Sequence, residues 1–299
     1  MSWLPTPDPE ADGAVDLVVE PSSKDLGGFS VRRALPSIKR RMVGPFVFLD
    51  HMGPALMAQG QGMDVRPHPH IGLATLTYLT EGSFVHRDSL GSLQEIRPGE
   101  VNWMTAGRGI AHSERTGTQT RLAPHRIHGI QSWIALPKAH EETDPGFAHH
   151  DVDSLPAVTD RGVSLRLIVG GMFGQRAPVR TFSDMFYADA ELAPGAALPL
   201  PAEHVERAVY VMQGAVEIAG DVFAAPRLLV FRPGDAITLR ATEPSRVLLL
   251  GGEPMDGPRH IWWNFVSSSQ DRIDAAKADW KSGRFAPVPD DREFIPLPE

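Results

Sequence analysis

Apolar positions along the chain fall in short runs, each closed by Gly, Pro or a polar stretch. Pro45–Leu49 is continuously apolar, Leu73–Leu79 alternates apolar residues with Thr, and Arg126–Leu136 runs on until Pro137 stops it. Gly82, Gly91 and Pro98-Gly99 punctuate the intervals. Short alternating runs between turn residues predict strands. After a polar, acidic stretch from Lys138 to Asp160, strands are again expected at Ser164–Val169, Met185–Ala188, Ala208–Met212 and Arg246–Leu250. One segment has a different period. Ser268 to Asp271 has the form of a helix start, Ile273, Ala276 and Trp280 follow at near-helical spacing, and Gly283 is placed to end it. A helix is predicted near 269–282, with Trp262, Trp263 and Phe265 docking the segment that leads into it.

The pattern also repeats. Tyr78 is followed by Gly82 and by Arg97-Pro-Gly-Glu100; Tyr210 is followed by Gly214 and by Arg232-Pro-Gly-Asp235. The Tyr-to-Arg intervals, 19 and 22 residues, are close enough for one turn to absorb the difference. Two copies of one β unit are expected: a first domain over 14–140, a connection over 141–160 and a second domain over 161–299.

Composition supports a strand-rich, ordered chain. Of 299 residues 42% are hydrophobic and 22% charged, and 28 Gly with 27 Pro supply the turns that many short strands need. The absence of Cys excludes disulfides, thiolate metal sites and a cysteine nucleophile. A net charge of -8 gives no overall positive field for a nucleic-acid backbone. The basic stretch Arg32, Arg33, Lys39, Arg40, Arg41 has no interleaved aromatics and reads as a solvated face. Met1–Gly13 is Pro- and acid-rich, without the cationic and apolar regions of a signal peptide, and no apolar run is long enough for a bilayer. A soluble cytoplasmic protein, with no membrane or direct nucleic-acid contact, is the expectation.

Ten of the 12 His lie between positions 51 and 150. Two of them, in His68-Pro-His70, stand at i and i+2, on one face of extended chain, and Pro67 and Pro69 stiffen that geometry. His112-Ser-Glu114 repeats the spacing, directly after the tight turn Thr105–Gly109. On neighbouring strands these four groups converge. Three neutral imidazoles and one carboxylate suit a divalent first-row metal with positions left open for water, substrate or O₂. The second copy lacks the set: counting from its Gly214 and Asp235 gives Leu200, Ala202, Val247 and Leu249. Glu203, His204 and Glu206 have no downstream partner ligand and are not read as a second metal site.

At these residues the chain resembles the pirin family of two-domain cupins. Arg66–Gly82 is similar to the family's first cupin motif, and Gly99–Glu114 to its second; His128-Gly-Ile-Gln131 and Trp263–Ser269 are also similar to recurrent family segments. The resemblance covers nearly the whole chain. It implies an all-β bicupin, two double-stranded β-helix (jelly-roll) barrels with a C-terminal helix, and iron(II) in the first barrel alone. The implied ligands fall on His68, His70, His112 and Glu114, a set that Mn, Ni, Cu or Zn would also accept. Several members act as flavonol (quercetin) 2,3/2,4-dioxygenases, cleaving an aromatic enol or phenol with O₂ and releasing carbon monoxide. Others are regulators whose metal and redox state tunes contact with a protein partner, for which the basic edge at Arg32–Arg41 would be available. Glu114 is the candidate catalytic proton acceptor. His86, His125, His128 and Gln131 are the candidates to support the ligands or line the pocket. One departure stands out: many members follow His-Pro-His with Arg-Gly-Phe-Glu, where this chain has Ile71-Gly72-Leu73-Ala74. These apolar residues are expected beside the metal, altering the site without removing a ligand.

Overall fold

The computed structural model describes residues 4–5, 13–25 and 29–298; the reading of Met1–Gly13 falls largely outside them. The strands of the first half are β1 (Val15–Val19), β2 (Ser22–Asp25), β3 (Ser30–Leu35), β4 (Phe46–Met57), β5 (Asp64–His70), β6 (Leu73–Glu81), β7 (Phe84–Asp88), β8 (Leu93–Ile96), β9 (Val101–Thr105), β10 (Ile110–Arg115), β11 (His125–Ala135) and β12 (Gly146–His150). The second half adds β13 (Ala157–Asp160), β14 (Val163–Met172), β15 (Gln175–Arg176), β16 (Met185–Leu192), β17 (Ala197–Leu200), β18 (Glu206–Gln213), β19 (Ala215–Ile218), β20 (Asp221–Ala224), β21 (Arg227–Phe231), β22 (Ile237–Ala241) and β23 (Ser245–Gly252). A short hairpin of β24 (His260–Trp262) and β25 (Phe265–Ser267) precedes the helix α1 (Gln270–Lys281). Every expected strand is present, and no described helix is long and apolar enough to cross a membrane.

Sheet order establishes the duplication. One large sheet runs β12-β9-β6-β11-β4-β3-β2 with a small sheet β5-β10-β7-β8; the other large sheet runs β1-β21-β18-β23-β16-β14-β13 with a small sheet β17-β22-β19-β20. The two lists correspond term by term, two copies of a double-sheeted barrel. Tyr78 and Tyr210 hold equivalent places on β6 and β18, and Gly82 and Gly214 end those strands at φ +82° and +75°, a left-handed conformation that suits Gly.

The Arg-Pro-Gly match that suggested the repeat is not equivalent in space. Arg97-Pro-Gly-Glu100 joins β8 to β9, whereas Arg232-Pro-Gly-Asp235 joins β21 to β22. Turn chemistry recurs wherever a turn is needed, so the shared tripeptide reports a turn and not a register. The control positions move accordingly. His70 and Leu200 end their strands and pair with the first residues of β10 and β22, Ile110 and Ile237. The places of His68, His70, His112 and Glu114 therefore fall on Leu198, Leu200, Leu239 and Ala241, not on Leu200, Ala202, Val247 and Leu249. All four are buried in one hydrophobic core. The second barrel fills with hydrocarbon the space that the first fills with imidazole.

The two compact units are interleaved along the chain, unlike the contiguous division expected at 14–140, 141–160 and 161–299. One comprises 1–23, 32–48 and 153–254; the other comprises 24–31, 49–152 and 255–299. The supposed connection contains β12, which pairs with β9 as an edge strand of the first barrel's large sheet. The C-terminal helix belongs to the unit that carries the histidines. Its N-cap is Ser269, one residue later than expected, with the hydroxyl accepting the Arg272 N–H. Ile273 and Ala276 bury its inner face against Phe265 and Ile71. Ile71 thus packs under the helix.

Candidate metal centre

Strand alternation places the cluster. His68 and His70 lie on β5, His112 on β10, and His112 pairs directly with His68 across the ladder. The ligating atoms of His68, His70 and His112 lie within 4.8 Å of one another, and all three residues are buried. The His70 and His112 Nε2 atoms are 3.1 Å apart.

Each ring is held by its other nitrogen. His68 Nδ1 lies 2.8 Å from the Arg66 carbonyl and His70 Nδ1 lies 3.0 Å from the Asn264 carbonyl, so both donate there. His112 Nδ1 lies 3.4 Å from His86 Nδ1, and His86 Nε2 lies 2.9 Å from the Asp88 carboxylate. An ionised Asp88 accepts the His86 Nε2–H, which makes His86 Nδ1 an acceptor for His112. Asp88 also accepts the Leu90 and Ser92 amides at 2.9 and 3.0 Å. Burial alone would raise its pKa, but the bonds from His86 and Ser92 outweigh burial and hold it below the ordinary value. Phe147 stacks on His86 at 4.3 Å and fixes its plane.

The tautomers so fixed leave three Nε2 lone pairs. Burial also keeps the rings neutral. His68 is pulled from 6.5 to about 4, mainly by burial, against the opposing bond to Arg66. His70 and His112 are held well below 6.5 by burial and by the neighbouring imidazoles. Two neutral rings with lone pairs 3.1 Å apart repel each other unless a cation stands between them. Ligand atoms at adjacent corners of an octahedron with arms of about 2.1 Å would stand about 3.0 Å apart. The donor set fits a divalent transition metal.

Glu114 sits on the same strand face but outside this trio. A ladder irregularity separates it from His112, and its Oε1 accepts the Thr77 hydroxyl at 2.8 Å. Burial pushes its pKa up, with the Thr77 bond opposing. Gln131 Oε1, a second possible acceptor, lies 2.8 Å from the same hydroxyl. Thr77 has one proton, so with the Gln131 amide turned to donate, that proton goes to Glu114.

Of the other sequence candidates, His86 reaches the cluster through His112 and Gln131 reaches Glu114 through Thr77. His128 instead bonds His51 at 2.7 Å and Thr80 at 2.7 Å, a separate pair on β4 and β11. His125 contacts the Ala123 carbonyl. In the other unit His204 lies 3.7 Å from Asp184, and Glu206 accepts the Gly44 amide and pairs with Arg40, in keeping with structural roles. Asp88 and Thr77 were missed, although His86-Arg-Asp88 has the same i, i+2 spacing as the other pairs. The Asn264 carbonyl has no sequence signal.

That carbonyl is delivered by the β24–β25 turn, where Trp263 adopts φ +51°. Gly72 lets the turn approach: at φ +67°, a Cβ there would stand 1.9 Å from the Val266 carbonyl oxygen. Buried Glu141 accepts the Ser268 amide and pairs with Arg259 at 2.9 Å, which clamps the segment.

A family model described as Pirin matches residues 28–134, and one described as Pirin C-terminal cupin domain matches 187–286. A pirin-like protein of Caulobacter vibrioides is 54% identical over 291 residues, 95% of this chain and all of that protein. The crystal structure of quercetin 2,3-dioxygenase from Acinetobacter baumannii superposes with a TM-score of 0.87 at 36% identity, covering 95% of each chain. The nickel(II) complex of the Escherichia coli pirin YhhW, at 22% identity, shares the fold over 80% of this chain and 99% of its own, with a TM-score of 0.64.

Proposed function

This chain belongs to the pirin family of two-domain cupins, and on that basis we propose that it is a mononuclear non-haem iron protein that cleaves a flavonol, or a related aromatic enol, with O₂. The observation that carries this reading is the trio of buried imidazoles whose Nδ1 atoms are all engaged and whose Nε2 atoms converge. His68, His70 and His112 would hold the metal, with Glu114 as the fourth ligand. Iron(II) there supplies Lewis acidity toward an enol or phenol oxygen and redox capacity toward O₂.

The protein's own contribution is proton handling and support. Glu114 accepts the substrate's hydroxyl proton. Burial raises its affinity for a proton, as a base requires, while the Thr77 hydroxyl stabilises the ionised form that must be present first. Asp88, His86, Arg66 and Asn264 hold the imidazoles in one tautomer. Trp133, edge-on to His70 at 5.1 Å, and Phe147, stacked on His86, present aromatic surfaces around the cluster.

The test loads the protein anaerobically with iron(II), adds quercetin and O₂, and follows flavonol absorbance together with carbon monoxide. Turnover above that of free iron is expected, with Glu114→Gln reduced to background. Turnover no greater than free iron overturns the dioxygenase reading. Metal content undiminished in both His68→Ala and His112→Ala overturns the ligand assignment.

A further inference from the structure

Away from the imidazole trio, the ligating atoms of Glu100, His149 and Asp151 also lie within 4.8 Å of one another. We propose that these three side chains form a second, independent binding site for a divalent first-row cation of the zinc(II) class.

The sheet builds it. His149 on β12 is the cross-strand partner of Asn102 on β9, so their side chains share a face. His149 Nδ1 lies 2.8 Å from Asn102 Oδ1. Donating to that oxygen places the ring proton on Nδ1 and leaves a lone pair on Nε2. This lone pair faces Asp151 Oδ1 at 3.3 Å and Glu100 Oε2 at 3.7 Å. A ring nitrogen and two carboxylate oxygens gathered this closely are bridged by a cation, either a proton on Nε2 or a metal ion.

The spacing separates a metal ion from a proton. An N–H···O bond is optimal at about 2.9 Å. Ligand atoms of a tetrahedral ion with arms of about 2.0–2.2 Å stand roughly 3.3–3.6 Å apart. The observed pair of distances lies nearer the second range. Glu100 is already aimed, because its Oε2 accepts the Arg97 amide at 2.7 Å. Glu100 and His149 side chains are only 13% and 17% exposed, whereas Asp151 is 80% exposed and closes the site from the solvent side. Two carboxylates balance the ion's charge, and one nitrogen with two oxygens is a donor set that zinc accepts, water completing it.

Untagged, metal-free protein is titrated with zinc(II) by calorimetry. Wild type is expected to take two equivalents, His149→Ala and Asp151→Asn one, and His68→Ala to keep the equivalent assigned here. Asn102→Ala, which releases Nδ1, weakens that equivalent about 10- to 100-fold. Asp151 is exposed, so its variant tests the site without disturbing the fold. The proposal is overturned if wild type binds a single equivalent that His68→Ala abolishes, or if His149→Ala and Asp151→Asn each retain two; the first result would mean that Nε2 is only hydrogen-bonded.

Discussion

Lowering the pH should unfold the metal-free histidine-bearing unit well before ordinary carboxylates titrate. His68 holds a folded-state pKa of about 4 against 6.5 when solvated. Between those values the unfolded chain binds a proton that the folded one refuses, so stability rises with pH. The contribution is fully present above 6.5 and is lost as pH falls toward 4. Each pKa unit is about 1.4 kcal/mol, giving about 3 kcal/mol in all and about 2 kcal/mol by pH 5. His70 and His112 shift in the same direction and add to the loss. The assay is urea unfolding of chelator-treated protein at pH 7.5 and pH 5. With a slope of about 2 kcal/mol/M, His68 alone accounts for a midpoint drop of roughly 1 M. His68→Gln, which cannot titrate, should show a drop smaller by that amount. An equal drop in wild type and His68→Gln would refute the assignment of the neutral ring to burial.

Gly72→Ala should destabilise by at least about 2 kcal/mol, read as a lowered melting temperature, because the new methyl meets the Val266 carbonyl and the backbone is left-handed. Asp88→Asn weakens the carboxylate that fixes His86, and metal affinity should fall about 10- to 100-fold in a competition titration with a chromophoric chelator. Glu141→Gln strips the charge from a buried pair and should cost about 1.5–3 kcal/mol in denaturant unfolding, Arg259 keeping its second carboxylate partner, Asp256. Thr77→Val removes the bond that favours the ionised Glu114, so its pKa rises further and the acid limb of kcat/KM should move to higher pH.

Much of this was legible along the chain because strands have a period of two. His68-Pro-His70 and His112-Ser-Glu114 put potential ligand groups on one face wherever those segments are extended, and they are. Tertiary chemistry carried by the backbone was not legible. The Asn264 carbonyl reaches His70 across 194 positions, and a carbonyl carries no residue identity. The interleaved units escaped for a related reason: β12 and β1 are edge strands of corresponding sheets, yet one follows its barrel's other strands along the chain and the other precedes them. Arg-Pro-Gly shows the opposite failure, a motif that recurs without equivalence because turns share one chemistry. Glu114 was legible as a candidate ligand from its spacing to His112, whereas the Thr77 hydroxyl that its carboxylate accepts, 37 positions away, was not.

The apolar quartet Leu198, Leu200, Leu239 and Ala241 is a natural experiment on the architecture. It shows that the barrel backbone stands with its centre rebuilt as plain hydrocarbon. Scaffold and candidate metal centre are therefore separable parts. Transplanting the quartet, as His68→Leu, His70→Leu, His112→Leu and Glu114→Ala together, would yield a chain whose folding is independent of metal supply. Such a chain would isolate whatever the outer surfaces do from whatever the centre does.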